Sequence, residues 1–221
     1  MSVPVKLRLP AAERRQAILE AALRVFSEGS YAGATTAEIA REAEVSEPVL
    51  YRHFASKKEL YFACLDEAWA RLKEAFAAVV EEVGPELAPV AIARTGLGIR
   101  AVRVLPPNLW LSGIVESSED EEIRERVRAH MREVHDHIAD TLRKAQELGA
   151  VPADRDPEAE AWIFLAGGLL VTMGDRLGGL LGHEDFTRVA TARHTWLFGK
   201  PPPEQPKGPW HPSAETDTSG V

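Results

Sequence analysis

Residues 34–57 read ATTAEIAREAEVSEPVLYRHFASK, and this stretch decides the fold. Thr35-Thr36-Ala37-Glu38 is a capping box, in which a threonine oxygen accepts an orphan N–H of the first helical turn and the glutamate reaches back. Ile39, Ala40 and Ala43 then supply the apolar side of a helix barely two turns long. Glu44-Val45 makes a tight turn. Ser46 is a suitable N-cap for the next helix, and Pro48, early in it, has no N–H to leave unpaired. Val49, Leu50 and Phe54 give that second helix its apolar side, while Glu47, Tyr51, Arg52 and His53 stay on the other. Ser56 to Glu59 is another capping box and opens a long helix.

Two short helices joined by a turn of three to four residues form the helix-turn-helix layout. Neither is stable alone at this length. The apolar spacing of Ile18, Ala21, Ala22, Val25 and Phe26 predicts a bracing helix over 10–28, ended by Gly29. A short capped helix that displays tyrosine, arginine and histidine is suited to a nucleic-acid groove.

The residues Phe26, Gly29, Thr35-Thr36, Ile39-Ala40, Val45-Ser46, Leu50-Tyr51, His53-Phe54, Lys57 and Leu60 resemble the DNA-binding domain of TetR-family transcriptional regulators. The resemblance covers roughly residues 11 to 71. Glu44 departs from the family pattern, which has glycine in the turn; a left-handed backbone there costs about 1 kcal/mol. The resemblance implies that Thr36, Tyr51, His53 and Lys57 contact phosphates, with Thr35 and Ser46 beside them at the helix starts. It implies that Glu47, Pro48, Val49 and Arg52 face bases. Chemistry agrees: Arg52 could pair with a guanine, Glu47 could accept from a cytosine amine, and Val49 could meet a thymine methyl.

The net charge of −8 looks adverse for a DNA binder. Its distribution removes the difficulty. Residues 1–60 hold nine Lys/Arg and eight Asp/Glu; the remainder holds 17 and 26. The acidity therefore lies outside the DNA-binding stretch, where a few phosphate contacts suffice for a salt-sensitive grip. One cysteine, Cys64, excludes an internal disulfide and suits a reducing cytoplasm. The basic start has no apolar core of a secretory signal.

The expected organisation is all-α: three helices for DNA and six for ligand binding and dimerisation. Residues 1–10 are expected to be a flexible arm and 11–71 the DNA-binding domain, with the motif at about 34–53. Residues 72–199 form the second domain, and the Pro-rich 200–221 a disordered tail. Helices are expected from 57 to 83, over 86–105, over 108–115, from a Ser118 capping box to 148, from 157 to 174 and over 184–198. The apolar run from 161 to 174 is too short to cross a bilayer. Its glycines, with Gly178 and Gly179, predict close approach by another helix. By resemblance, the last two helices form a four-helix bundle with a second copy. Such a homodimer would set two recognition helices about 34–36 Å apart on a palindrome.

Trp69, Phe76, Trp110, Met131, Trp162, Phe164 and Met173 are candidate walls of a largely apolar effector site, with His130 as polar lining. Its ligand could be an acyl thioester, an aromatic acid or a cation; an acidic residue in the site would favour the cation, and a basic one the acid or thioester. His130 and His137, with Glu133, are also the residues a metal-dependent enzyme would use, though His135 and Asp136 point away from their stripe. No nucleophile motif, phosphate-binding loop or HExxH is present, and no cofactor is implied. The leading expectation is a homodimeric repressor released from a palindromic operator by a small molecule. A metal-dependent helical enzyme and a non-DNA-binding interaction module are the alternatives.

Overall fold

The computed structural model describes residues 10–84 and 107–199. The expected arm over 1–9, the helix over 86–105 and the tail over 200–221 lie outside the described residues. Eight helices occur among the described residues, and no strand. They are α1 (Ala11–Glu28), α2 (Thr36–Glu42), α3 (Glu47–Tyr51), α4 (Lys57–Val83), α5 (Pro107–Glu116), α6 (Glu121–Glu147), α7 (Pro157–Arg176) and α8 (His183–Phe198).

Local chemistry explains most of the boundaries. Thr35 accepts from the Glu38 N–H at 3.1 Å, starting α2. Ser56 does the same for Glu59 at 3.0 Å, and the Glu59 carboxylate reaches back to the Ala55 N–H at 2.6 Å. The turn after α2 is a Schellman motif. Val45 N–H bonds the Ala40 carbonyl at 2.9 Å and Glu44 N–H that of Arg41 at 3.1 Å. Glu44 sits in the left-handed region with φ 52°, as its place in this turn demands.

Two caps differ from expectation. Ser46 stands at the start of α3, but its side chain makes no capping bond. The threonine and glutamate contacts described below hold that helix end instead. Helix α6 starts at Glu121 with Asp120 as its cap, whose carboxylate accepts from the Ile123 N–H at 3.1 Å. Ser118 instead donates to the Val115 carbonyl, closing the end of α5. A carboxylate at a helix N-terminus also meets the positive end of the dipole, which favours Asp120 over serine.

The glycines after α7 correct a second expectation. Gly178 and Gly179 have φ of 67° and 83° and form the turn that leaves the helix, rather than lying inside it. Within one chain, a Cβ on Gly168 would meet nothing within 4 Å. The close approach occurs at Gly113 on α5. A Cβ there would fall 2.6 Å from Tyr61 Oη and 2.7 Å from Val127 Cγ2. Only glycine lets α5 lie this deep between α4 and α6.

One apolar core runs through the molecule. Ile18, Phe26, Ile39, Leu50 and Phe54 hold the first three helices together and are fully or almost fully buried. Tyr61 on α4 continues that core, with Phe26 edge-on at 5.4 Å and Tyr31 at 4.9 Å. Leu65, Trp69, Leu72 and Phe76 carry it along α4. Helix α6 buries two sides: Ile123, Val127, His130 and Val134 on one, and His135, Ile138, Ala139 and Leu142 on the other.

Side chains clamp the first three helices to the rest. Helix α1 has no basic residue in its last turn, so its terminal carbonyls need donors from elsewhere. Asn108 on α5 donates to the Ser27 carbonyl, and Arg176 at the end of α7 donates to the Gly29 carbonyl at 3.0 Å. Arg176 also bonds Asn108 at 2.5 Å. On the opposite side, Lys58 on α4 bridges Asp120 at 2.6 Å and Glu122 at 2.8 Å.

Candidate DNA-recognition surface and effector site

Helix α3 is anchored through Leu50 and, just beyond its end, Phe54. Tyr51 is 47% exposed. Thr35, Ser46, Pro48 and Arg52 are exposed, while Thr36, Glu47, Val49, His53 and Lys57 are half-buried. The structure thus brings all ten sequence-predicted DNA residues to one end of the molecule. It adds a linkage that spacing does not display. The Thr36 hydroxyl donates to the Glu47 carboxylate and lies 3.2 Å from the Tyr51 hydroxyl. A residue from α2 therefore orients two side chains of α3. Lys57 lies over the Tyr31 ring at 4.5 Å and reaches the Ala32 carbonyl at 3.4 Å. Partial burial holds its ammonium below the ordinary lysine pKa.

The candidate effector residues divide. Trp69, Phe76, Trp110 and His130 are buried together where α4, α5 and α6 meet. Trp110 and His130 are edge-on at 5.7 Å, and Trp69 and His137 at 5.3 Å. Phe76 stacks on His137 at 6.3 Å. The Trp69 indole N–H donates to Glu133 at 2.7 Å, and Lys73 reaches the same carboxylate at 3.3 Å. Met131 and Phe164 are partly buried against the core. Trp162 and Met173 are not pocket walls within one chain; they are 44% and 45% exposed. They share a side of α7 with Ile163 and Leu170, at spacings that form one stripe of a helix, and the exposed Leu177 continues it just past the helix end.

Burial lowers the His130 pKa to about 4, and burial and the Lys73 ammonium lower that of His137. The unfolded chain binds this proton near pH 6.5. Between those values the unfolded state holds more protons, so stability falls as pH falls. Going from about pH 7.5 to about pH 5, His130 is expected to cost about 2 kcal/mol of unfolding free energy. Urea midpoints at the two pH values check this, and His130→Gln should remove most of the difference.

His135 corrects the expectation that it points away from the apolar stripe. It is almost fully buried on the α7 side of α6, tilted against the Trp162 ring at 4.3 Å. Its Nδ1 lies 2.9 Å from Asp136, and its Nε2 lies 3.1 Å from the Glu158 carbonyl. His135, Asp136 and Glu158 offer three ligand atoms to a cation. Both imidazole nitrogens are already engaged, however, and Arg143 holds the Glu158 carboxylate. The arrangement is a polar clasp between α6 and α7. Another clasp seats α8: the buried Glu160 pairs with Arg193 and accepts from the Trp196 indole at 2.9 Å.

Among the described residues, no helix is long and apolar enough to cross a membrane.

Comparison with known proteins agrees with this geometry. Residues 18–64 match the model for bacterial regulatory proteins of the tetR family, and 108–192 match the C-terminal domain of BetI-type transcriptional repressors. The transcriptional repressor AcnR of Corynebacterium diphtheriae is 30% identical over 163 residues, 69% of this chain and 75% of that protein. The transcriptional activator FasR of Mycolicibacterium smegmatis is 55% identical over 58 residues, so the chain covers about a quarter of its length. Among solved structures, a TetR-family regulator from Agrobacterium tumefaciens superposes with a TM-score of 0.70 at 19% identity, over 86% of this chain and all of that one. A regulator from Saccharomonospora viridis in complex with choline gives 0.63 at 23% identity, over 84% and 95%. With an anchored helix-turn-helix at one end and a helical domain behind it, the chain is a DNA-binding transcriptional regulator and belongs to the TetR family.

Proposed function

We propose that this regulator is a homodimeric repressor that a small molecule releases from a palindromic operator. The observation that carries the DNA assignment is the outward face of α3, with Tyr51 and Glu47 oriented by Thr36 on a helix anchored through the buried Leu50. Tyr51, Thr36, His53 and Lys57, with Thr35 and Ser46 beside them, are the phosphate-positioning groups. Glu47, Pro48, Val49 and Arg52 face the bases.

Dimerisation is assigned to α7 and α8. The stripe from Trp162 to Leu177, with Leu180, Val189 and Trp196, is too apolar and too extended for a solvated face. A second copy covering it would complete a four-helix bundle.

The effector site is assigned to the space around Trp69, Phe76, Trp110, Met131, His130 and Phe164. Trp162 and Met173 belong to the dimer face instead. The domain division follows: DNA binding over about 11–71, effector binding and dimerisation over about 72–199. Helix α4 starts at the DNA-binding helices and runs into the effector site, and α5 and α7 grip the end of α1 through Asn108 and Arg176. A ligand that prefers one arrangement of these helices shifts the spacing of the two recognition helices.

The test is a genomic-fragment selection with the purified protein, repeated with Tyr51→Ala. The parent is expected to enrich a palindrome. Tyr51→Ala, altered at an exposed position in both half-sites, should bind it at least about tenfold more weakly with the fold intact. Failure of the parent to enrich any palindrome would sink the reading.

A further inference from the structure

Four buried side-chain atoms near the meeting of α4, α5 and α6 lack a hydrogen-bond partner: Trp110 Nε1, Ser112 Oγ, Arg126 Nε and His130 Nε2. Buried polar atoms are normally paired, and each exception calls for an explanation. Trp110, Ser112 and His130 are more than nine-tenths buried. Their chemistry is one-sided. The indole and guanidinium N–H groups can only donate, the hydroxyl and imidazole can donate, and none of the four is restricted to accepting. Arg126 lies one turn before His130 on the same side of α6, and the Trp110 ring is edge-on to His130.

The carboxylates nearby are already committed. Asp66 takes the Arg126 guanidinium, and Glu133 takes the Trp69 indole and Lys73. What this site lacks is an oxygen acceptor that the described residues do not supply.

We propose that the effector is a carboxylic acid whose carboxylate accepts from Trp110 Nε1 and His130 Nε2, an inference that rests on the effector-site assignment above. A quaternary ammonium carries no acceptor at its charged centre and would leave these donors unpaired. A carboxylate offers about four lone-pair positions. The charged groups acting on His130 are Asp66 and Lys73 from α4 and Arg126 and Glu133 from α6. Two are acidic and two basic, so they leave no net local charge. An arriving carboxylate is uncompensated and favours the imidazolium. Binding therefore takes up a proton, and affinity rises as pH falls until the ligand's own carboxyl group begins to protonate.

The test uses the full-length protein and nitrogen-detected imidazole spectra, with His130 assigned by loss of its signal in His130→Gln. Sodium acetate, acetamide and tetramethylammonium chloride are titrated at matched ionic strength. Acetate is expected to raise the apparent pKa of His130 saturably, by about one unit or more. Acetamide and tetramethylammonium should not do so, and Trp110→Phe should reduce the acetate effect. If Trp110→Phe does not fold, calorimetry of the parent in MES and piperazine buffers near about pH 5.5 decides, because proton uptake there gives heats that differ with the buffer. Saturable perturbation by tetramethylammonium alone would overturn the carboxylate class while leaving an effector site in place. No response to any probe would mean that only water fills the site, overturning the proposal and removing these atoms' support for an effector site here.

Discussion

Leu170→Asp is expected to split the dimer and to abolish binding to a full operator. Leu170 is 36% exposed in a single chain and lies in the middle of the apolar stripe on α7. A carboxylate there is solvated in the monomer, so the fold should persist. In a dimer it must be buried without a partner. Because an isologous interface repeats every residue, the cost enters twice. A total of about 4 kcal/mol is a conservative expectation, which raises the dimer dissociation constant about a thousandfold. Sedimentation would read the association, and operator binding at the same concentrations would read the consequence. A variant that remained dimeric with parental operator affinity would rule out α7 as the interface.

Phe54→Ala should have the largest effect on the DNA-binding helices themselves. The ring is 1% exposed, at the end of the helix-turn-helix, and the Arg15 guanidinium lies 4.6 Å from its centre. Removing a buried phenylalanine costs about 3–5 kcal/mol through lost transfer energy and an unfilled cavity. Helices α2 and α3 have seven and five residues, too few to survive without that packing. Urea unfolding should show an early loss of helix, and operator affinity should fall with it. Tyr51→Ala provides the contrast: it should lose operator affinity while keeping the parental midpoint. If Phe54→Ala retained the parental midpoint, the ring would not anchor α3.

Several features were legible from short sequence spans because their causes are local. Capping boxes at Thr35 and Ser56, the left-handed Glu44 and the apolar periods of α1, α4 and α6 each depend on neighbours within about one turn. The same locality explains why all ten predicted DNA residues sit together, since they belong to one motif of fixed geometry. The local signals failed where two residues competed for one role. Asp120 displaced Ser118 because a carboxylate suits a helix N-terminus better. Ser46 needs no capping bond where Thr36 holds Glu47 from outside the helix.

The sequence alone determined the helix-turn-helix, the all-α class and the family, since each rests on patterns among residues close together in the chain. Only the tertiary structure decided which apolar residues are core and which form a face. Helical period places Trp162 and Leu165 on the same helix, but packing against α6 buries Leu165 and leaves Trp162, which touches His135, 44% exposed. It also decided that α6 buries two sides and encloses His135, which a single-stripe reading excludes. Long-range partners were likewise invisible in sequence. Asn108 and Arg176 meet the end of α1 across 81 and 147 residues. The unpaired donors of Trp110 and His130 emerge only when α5 is pressed between α4 and α6. Periodicity encodes which direction a side chain faces on its own helix; what stands opposite it is set by how the helices pack.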